Sequence, residues 1–490
     1  MEVTSSKDTP PLGLGIKLAY GFGSVAYGVK NGGFDYFLLL FYSQVVGLDA
    51  RLVGIAITTA LIFDAVSDPI VGYWSDNQRS RWGRRHPFMY AAALPVALSY
   101  FLVWNPPAEA SQTGLFLYLL ALAVVIRTFI TAYETPCSAL APELTFDYDE
   151  RSTLLSYRSY FGWTGGNAMT VLMFFFLFPA MATEAIPDGR FNRDSYALMG
   201  VIGSALMLVS ILVCAIGTHS RIPHLMAPPP QRRITLPTVF KEIFETLSSR
   251  SFISLFVASV FSAVASGLAA GLAFYFQTYF WGFTSIEQGI INMSTFIAAV
   301  IGFVLAPIVT RRLGKKRGVM IIGLIAFLGA PLPVVLRLFG VLPENGTDFI
   351  FWFIFITQTI DVGLIICYGI LFGSMISDLV EQSELETGRR SEGLFFSAVT
   401  FIRKCTQGFG LMAASLVLWL AQFPTGATTA DVGEDALWRL GAWYVPTILC
   451  LWLTMIAVIS SYKLDRAGHE ENLRKLAVAR NTQADSGGAA

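Results

Sequence analysis

The chain alternates long apolar blocks with short polar turns. The blocks fall at 17–44, 52–77, 87–105, 113–140, 152–180, 196–219, 253–282, 288–310, 318–340, 348–377, 393–422 and 438–461. An α-helix needs about twenty apolar residues to cross roughly 30 Å of hydrocarbon, so each block can span a bilayer and the longer ones permit tilt. The pattern predicts an all-α polytopic membrane protein of about twelve spans. A polar stretch at 220–252, containing Pro223, Pro228, Pro229 and Pro230, separates the first six blocks from the last six. Inside it Thr238 to Leu247 reads as an amphipathic helix lying at the membrane surface. The expected organisation is a disordered tail 1–14, a six-helix bundle 15–219, a linker 220–252, a second bundle 253–462 and a charged tail 463–490.

Composition agrees with this reading: mean hydropathy is +0.58, with 54% hydrophobic and 14% charged residues. Formal net charge is zero and says nothing of partners. The distribution of basic residues says more. Arg79, Arg81, Arg84 and Arg85 follow the second block, Arg221, Arg232, Arg233, Lys241 and Arg250 the sixth, and Arg311, Arg312, Lys315, Lys316 and Arg317 the eighth. Loops 106–112, 283–287 and 423–437 carry no Lys or Arg; Arg51, Arg190 and Arg193 are exceptions. By the positive-inside rule both termini are cytoplasmic. No signal-peptide pattern opens the sequence, so the first block is expected to remain as a span.

Arg81-Trp82-Gly83-Arg84-Arg85 recurs as Arg312-Leu313-Gly314-Lys315-Lys316 in the corresponding turn of the second half. That placement points to an internally repeated 6+6 bundle. Cys137, Cys214, Cys367, Cys405 and Cys450 all lie in apolar blocks without paired spacing and read as small packing residues. The histidines sit at block ends or in loops, which argues against a histidine proton relay.

Charged residues within the blocks carry the chemistry. Asp64 and Asp68 are one helical turn apart with Ser67 between them, near the middle of the second block. Each carboxylate costs about 2.5–3.5 kcal/mol to place there, so the pair needs a wet cavity or a cation. An all-oxygen set suits a hard cation such as Na⁺, or a shared proton. The alternative is a pair of structural acids bonded to neighbouring helices.

The first block holds Lys30 and Asp35 beside glycines, either a cavity-facing polar patch or a local pair without a transport role. In the fourth block Arg127, Thr131 and Glu134 share one helical face. Thr131 can turn toward Asp64 and Asp68 and Glu134 toward a solute, or Arg127 and Glu134 can pair within the helix. Arg158 opens the fifth block and Asp361 lies in the tenth. Lys404, deep in the eleventh, is placed to balance the acids of the first half. The stretch from Ser377 to Gly393, with Asp378, Glu384, Arg390 and Glu392, reads as a solvated loop whose acids can pair with the basic turns in one conformation. No nucleotide loop, metal cluster or nucleophile–base set is present, which argues against an enzyme. Neither a cofactor nor nucleic acid is expected.

These residues together resemble the glycoside–pentoside–hexuronide:cation symporters of the major facilitator superfamily, the family of the melibiose carrier. The resemblance runs through Tyr20-Gly21-Phe22-Gly23, Val45-Val46-Gly47-Leu48, Asp64-x3-Asp68-Pro69, Arg79-x-Arg81-Trp82-Gly83, Arg158, Arg390-x-Glu392 and Lys404. It implies that Asp64, Ser67, Asp68 and Thr131 bind the cation, Na⁺ or H⁺, that Glu134 and Arg158 contact sugar, and that Lys404 links the halves. Ser67 stands where the melibiose carrier has Asn, Gly28 where it has a sugar-binding Asp, Tyr27 where it has Lys and Ser138 where it has a stacking Trp. Arg127 is an added charge. A related branch, the sodium-dependent lysolipid carriers, is similar in the hydroxyl between the two Asp and in Pro136-x-Ser138-Ala139-Leu140.

The expectation is a cation-coupled secondary symporter of the plasma membrane, most simply a bacterial inner membrane. It is monomeric, with a midplane site between two bundles for a sugar, glycoside or similar solute; a carrier of lysolipids or other amphiphiles is the alternative. Lys30, Asp35, Arg127, Glu134, Arg158 and Lys404 are the candidate solute contacts. Arg81, Gly83, Arg84, Arg85, Asp378, Glu384, Arg390 and Glu392 are the candidate gating residues.

Overall fold

The computed structural model describes residues 12–145, 148–225, 250–387 and 408–461, and among these all regular structure is helical. The principal helices are α1 (Leu14–Phe22), α2 (Val25–Gly32), α3 (Ala50–Asn77), α4 (His86–Val103), α5 (Gln112–Leu144), α6 (Tyr148–Leu172) and α7 (Arg193–His219). They are followed by α8 (Arg250–Tyr275), α9 (Ser285–Leu313), α10 (Lys315–Gly329), α11 (Leu332–Leu338), α12 (Asp348–Thr387), α13 (Gly408–Leu420) and α14 (Glu434–Ser460). Ten stretches among the described residues are long and apolar enough to cross a membrane. Large apolar side chains such as Phe303 (68% exposed) and Val300 (63%) are left uncovered, as they are on a lipid-facing helix surface.

The first apolar block is helical but interrupted, breaking at Gly23–Ser24 and continuing through π turns at Gly33–Phe37 and Phe41–Val45. Its close neighbours explain the glycines. A Cβ on Gly28 would overlap the carbonyl oxygen of Gly162 where α2 crosses α6. A second internal repeat appears at helix ends. The amides of Val46 and Leu48 bond to Phe41 O (2.9 Å) and Tyr42 O (2.8 Å), as those of Trp281 and Phe283 bond to Phe276 O (2.9 Å) and Gln277 O (3.0 Å). Gly47 and Gly282 take matching left-handed conformations, φ 84° and 68°.

Two expectations need adjusting. Leu12 lies in the stretch expected to be disordered, yet its amide (3.1 Å) and the Lys17 ammonium (2.8 Å) both bind Glu150 Oε1. The mixed-charge stretch after Ser377 is helical as far as Thr387, because Leu, Glu and Gln predominate there and neither Gly nor Pro interrupts before Gly388. Arg190, one of the exceptions to the charge pattern, is buried. It bonds Asp188 Oδ2 at 2.6 Å, Phe283 O at 2.6 Å and Thr278 Oγ1 at 3.3 Å. The amphipathic stretch 238–247, Arg390, Glu392, Lys404 and Cys405 lie outside the described residues, as do the side chains of Asp378 and Glu384.

The chain divides into two compact units, Met1–Arg232 with Gly267–Gly289 and Gly408–Leu437, and Arg233–Ser266 with Ile290–Gln407 and Trp438–Ala490. These boundaries differ from the two sequence halves, since segments of the second half pack within the first unit. There Thr58 of α3 donates to Gly408 O of α13 (2.8 Å), and Gly426 N donates to Ser43 O (3.0 Å). The core of this unit is aromatic. The Phe41 ring lies 4.6 Å from Tyr196 and 5.3 Å from Trp104, and Phe37 lies 4.9 Å from Phe274. In the second unit Phe327 of α10 stacks on Trp452 of α14 at 4.6 Å. Asp361 of α12 keeps a buried Oδ1 without a hydrogen-bond partner.

Candidate functional site

α3 and α5 pack side by side in the first unit, and their polar faces meet. Asp64 and Asp68, one turn apart on α3, both face the Thr131 hydroxyl of α5: its Oγ1 lies 2.6 Å from Asp64 Oδ1 and 2.8 Å from Asp68 Oδ1. Asp64 is 3% exposed and Thr131 2%. A threonine has one hydroxyl hydrogen and donates to one carboxylate at a time. A proton on the second carboxyl, or a cation shared among the three groups, would satisfy the second contact. Ser67 is also buried, and its hydroxyl donates to its own helix at Asp64 O (3.0 Å), leaving lone pairs free to coordinate.

Arg127 and Glu134 do not pair with each other. The Arg127 guanidinium lies 3.6 Å from Asp64 Oδ2, with both side chains 4% exposed, and stands over the Phe34 ring at 5.5 Å. Its Nε has no hydrogen-bond partner. Glu134 instead forms an ion pair with Arg158 of α6. Arg158 Nη1 also reaches Tyr20 Oη (3.4 Å) and Cys137 Sγ (3.5 Å), and Tyr20 donates to Cys137 O (3.1 Å). Glu134 Oε2 is buried without a partner, an acceptor left open. Thus the α5 face reads as expected, but each charge points to a different neighbouring helix.

Lys30 is buried on α2 with its ammonium 5.1 Å from the Tyr27 ring centre, and Asp35 is half-buried in the following π turn. Ser138 is exposed and donates to Glu134 O (2.8 Å). Cys137 and Cys214 are free thiols with sulfurs 3.7 Å apart, a proximity their sequence spacing does not suggest.

At the other end of α3 the basic turn is built around Gly83 (φ 72°), with Gly83 N donating to Ser80 O (3.1 Å). Arg81 is exposed and lies over Trp82 (5.6 Å). Arg84 (2.7 Å) and Arg85 (3.1 Å) both bind Glu143 Oε1 at the end of α5, and Arg85 also donates to Ser75 Oγ (2.8 Å). Sequence reasoning misses Glu143 and Ser75. An acid closing an apolar block on the side of a basic turn is the signal that marks Glu143.

A family model for MFS/sugar transport proteins matches residues 19–466. The chain belongs to this family. It is an integral membrane transport protein of the major facilitator superfamily and not an enzyme. Its relatives include a putative glycoside/cation symporter of Escherichia coli (strain K12), 23% identical over 96% of each chain. The sodium-dependent lysophosphatidylcholine symporter 1-A of Danio rerio is 23% identical over 94% of this chain and 87% of that one. Among solved structures, a mutant of the nucleoside transporter NupG has a TM-score of 0.59 at 17% identity, covering 90% of this chain and 99% of that one, which shows the shared fold. Among the described residues, this superfamily member brings charges of α3, α5 and α6 together in its first unit.

Proposed function

We propose that this transporter is a cation-coupled symporter of a sugar or glycoside, with Asp64, Ser67, Asp68 and Thr131 taking the coupling cation and Glu134 with Arg158 taking the solute. The observation that carries this reading is the convergence of two carboxyls on one hydroxyl across α3 and α5. Close along the same face of α5 stands the Glu134–Arg158 pair with an open acceptor. A hydroxyl-rich solute satisfies Glu134 Oε2 by donation and can accept from Arg158, which fits glycosides better than apolar cargo. Neutralising the carboxyls is favoured when cation and solute arrive together, so the ion gradient drives uptake and no organic cofactor is needed.

In this reading the Arg84–Glu143–Arg85 cluster holds the basic end of α3 to α5 in one conformation and releases it in the other. Both termini face the cytoplasm of a bacterial cell, and Lys404 balances the acidic cluster.

The solute need not be a galactoside. The crossing at Gly28 leaves no room for an acidic side chain, and Ser138 offers no stacking face. Those two features and the lysolipid-carrying relative favour a second reading, an amphiphile carrier. A thermal-shift panel of purified protein separates the two. Glycosides that raise the melting temperature further when the coupling cation is present support the first reading. Stabilisation by lysolipid with no response to any glycoside overturns it in favour of the second.

A further inference from the structure

The proposed symport leaves Asp361 unused. It lies midway along the apolar stretch Asp348–Met375 of α12, in the second unit, and its Oδ1 is buried without a hydrogen-bond partner. A carboxylate at that depth costs about 2.5–3.5 kcal/mol. Its immediate neighbour adds to the cost. α10 packs beside α12, and a Cβ on Gly329, the last residue of α10, would stand 3.6 Å from Asp361 Oδ1. The helix stops there: Ala330 N still donates to Ala326 O (2.8 Å), but regular structure resumes only at Leu332, the start of α11. Pro331 and Pro333 have no amide hydrogen, so the carbonyls of Phe327 and Gly329 lose the donors that an unbroken helix would bring them. A helix C-terminus carries partial negative charge, and here it ends against a carboxyl that forms no ion pair among the described residues.

We propose that Asp361 and the break between α10 and α11 form a proton-binding site of the second unit, separate from the carboxyls of α3. A carboxyl that holds a proton is a donor as well as an acceptor, and the open carbonyls at the break are acceptors, so one proton removes the charge and meets the demand of both partners. Nothing else described around Asp361 supplies a positive charge. Tyr444 of α14 is the titratable side chain within reach of its charge. α9 presents Ile301 to Gly363, beside Asp361 on α12. Arg337 of α11 donates instead to Pro343 O (2.6 Å), and the charged residues of α9, α10 and α14 sit near the ends of those helices.

The test is infrared difference spectroscopy of the purified full chain in lipid, which reads the carbonyl stretch of protonated carboxyls, with pH varied at fixed Na⁺ and Na⁺ varied at fixed pH. Wild type and Asp68→Asn are expected to share a protonated-carboxyl band that shifts in heavy water, fades as pH rises, ignores Na⁺ and is absent from Asp361→Asn. Replacing Pro331 and Pro333 together by Ala returns amide donors to the carbonyls of Phe327 and Gly329. That variant is expected to need about fivefold more protons for the same band, the equivalent of one hydrogen bond. A wild-type spectrum without such a band, or with bands that Asp361→Asn leaves unchanged, overturns the inference. So does an Asp361 band that Na⁺ removes at fixed pH or that no rise in pH removes. If Asp361→Asn does not fold, the double proline variant decides: a fading point equal to wild type overturns the inference. The cation site on α3 and α5 is judged separately, by uptake with Asp68→Asn, and stands or falls whatever Asp361 does.

Discussion

Thr131 on α5 reaches Asp68 on α3 with 2.8 Å between Oγ1 and Oδ1. The same hydroxyl touches Asp64, so one side chain links two carboxyls that are otherwise set apart by a helical turn. Thr131→Val keeps the shape and removes the hydroxyl. Leaving a buried acid short of one partner costs about 1–3 kcal/mol. The expected result is a cation requirement for uptake that rises about tenfold while the protein stays folded. Cation titration of uptake checks it; an unchanged requirement contradicts the shared-hydroxyl geometry.

Glu134→Gln breaks the pair with Arg158. The two side chains are 22% and 14% exposed, so the loss belongs near or below the low end of the roughly 3–5 kcal/mol typical of breaking a buried pair. Solute binding measured by calorimetry should fall at least about tenfold. Cation-dependent melting, set by α3 and Thr131, should persist. Loss of both together contradicts the separation of solute and cation groups.

Much of this was legible in the sequence because membrane burial makes charge conspicuous. Asp64, Asp68, Thr131, Glu134 and Arg158 stand out simply by being polar in apolar blocks. Direction was not legible: helical spacing puts Arg127 and Glu134 on one face, but tertiary packing decides that Arg127 meets Asp64 and Glu134 meets Arg158. Gly28 shows the converse. As a sequence position it reads as a missing acid, whereas in the fold it is where two helix backbones come too close for any side chain. Glu143 was missed because it closes an apolar block, where an acid passes for part of a solvated turn.

Glu143→Gln should loosen the basic end of α3. Two arginines, Arg84 and Arg85, then lose their shared carboxylate, whereas Ser75→Ala removes only one of the Arg85 contacts. The melting temperature of Glu143→Gln should drop clearly more than that of Ser75→Ala. Equal drops contradict the cluster.

Glu150 anchors the segment that leads into α1. Burial alone raises its acid, but hydrogen bonds from Lys17, Thr145 and the Leu12 amide outweigh burial and hold it below the usual carboxylate range. A carboxyl depressed in the folded state stabilises above its unfolded value, near 4.3, and that stabilisation fades as pH falls through the folded value. Glu150→Gln should therefore melt below wild type at neutral pH and converge with it in acid. Parallel curves over the whole range contradict the anchor.

The most direct test is solute uptake into proteoliposomes under an imposed ion gradient, comparing wild type with Asp68→Asn. If Asp68 takes the coupling cation, wild type accumulates solute against its gradient. Asp68→Asn then loses that accumulation while still exchanging solute down a gradient. Full gradient-driven accumulation by Asp68→Asn would contradict the account.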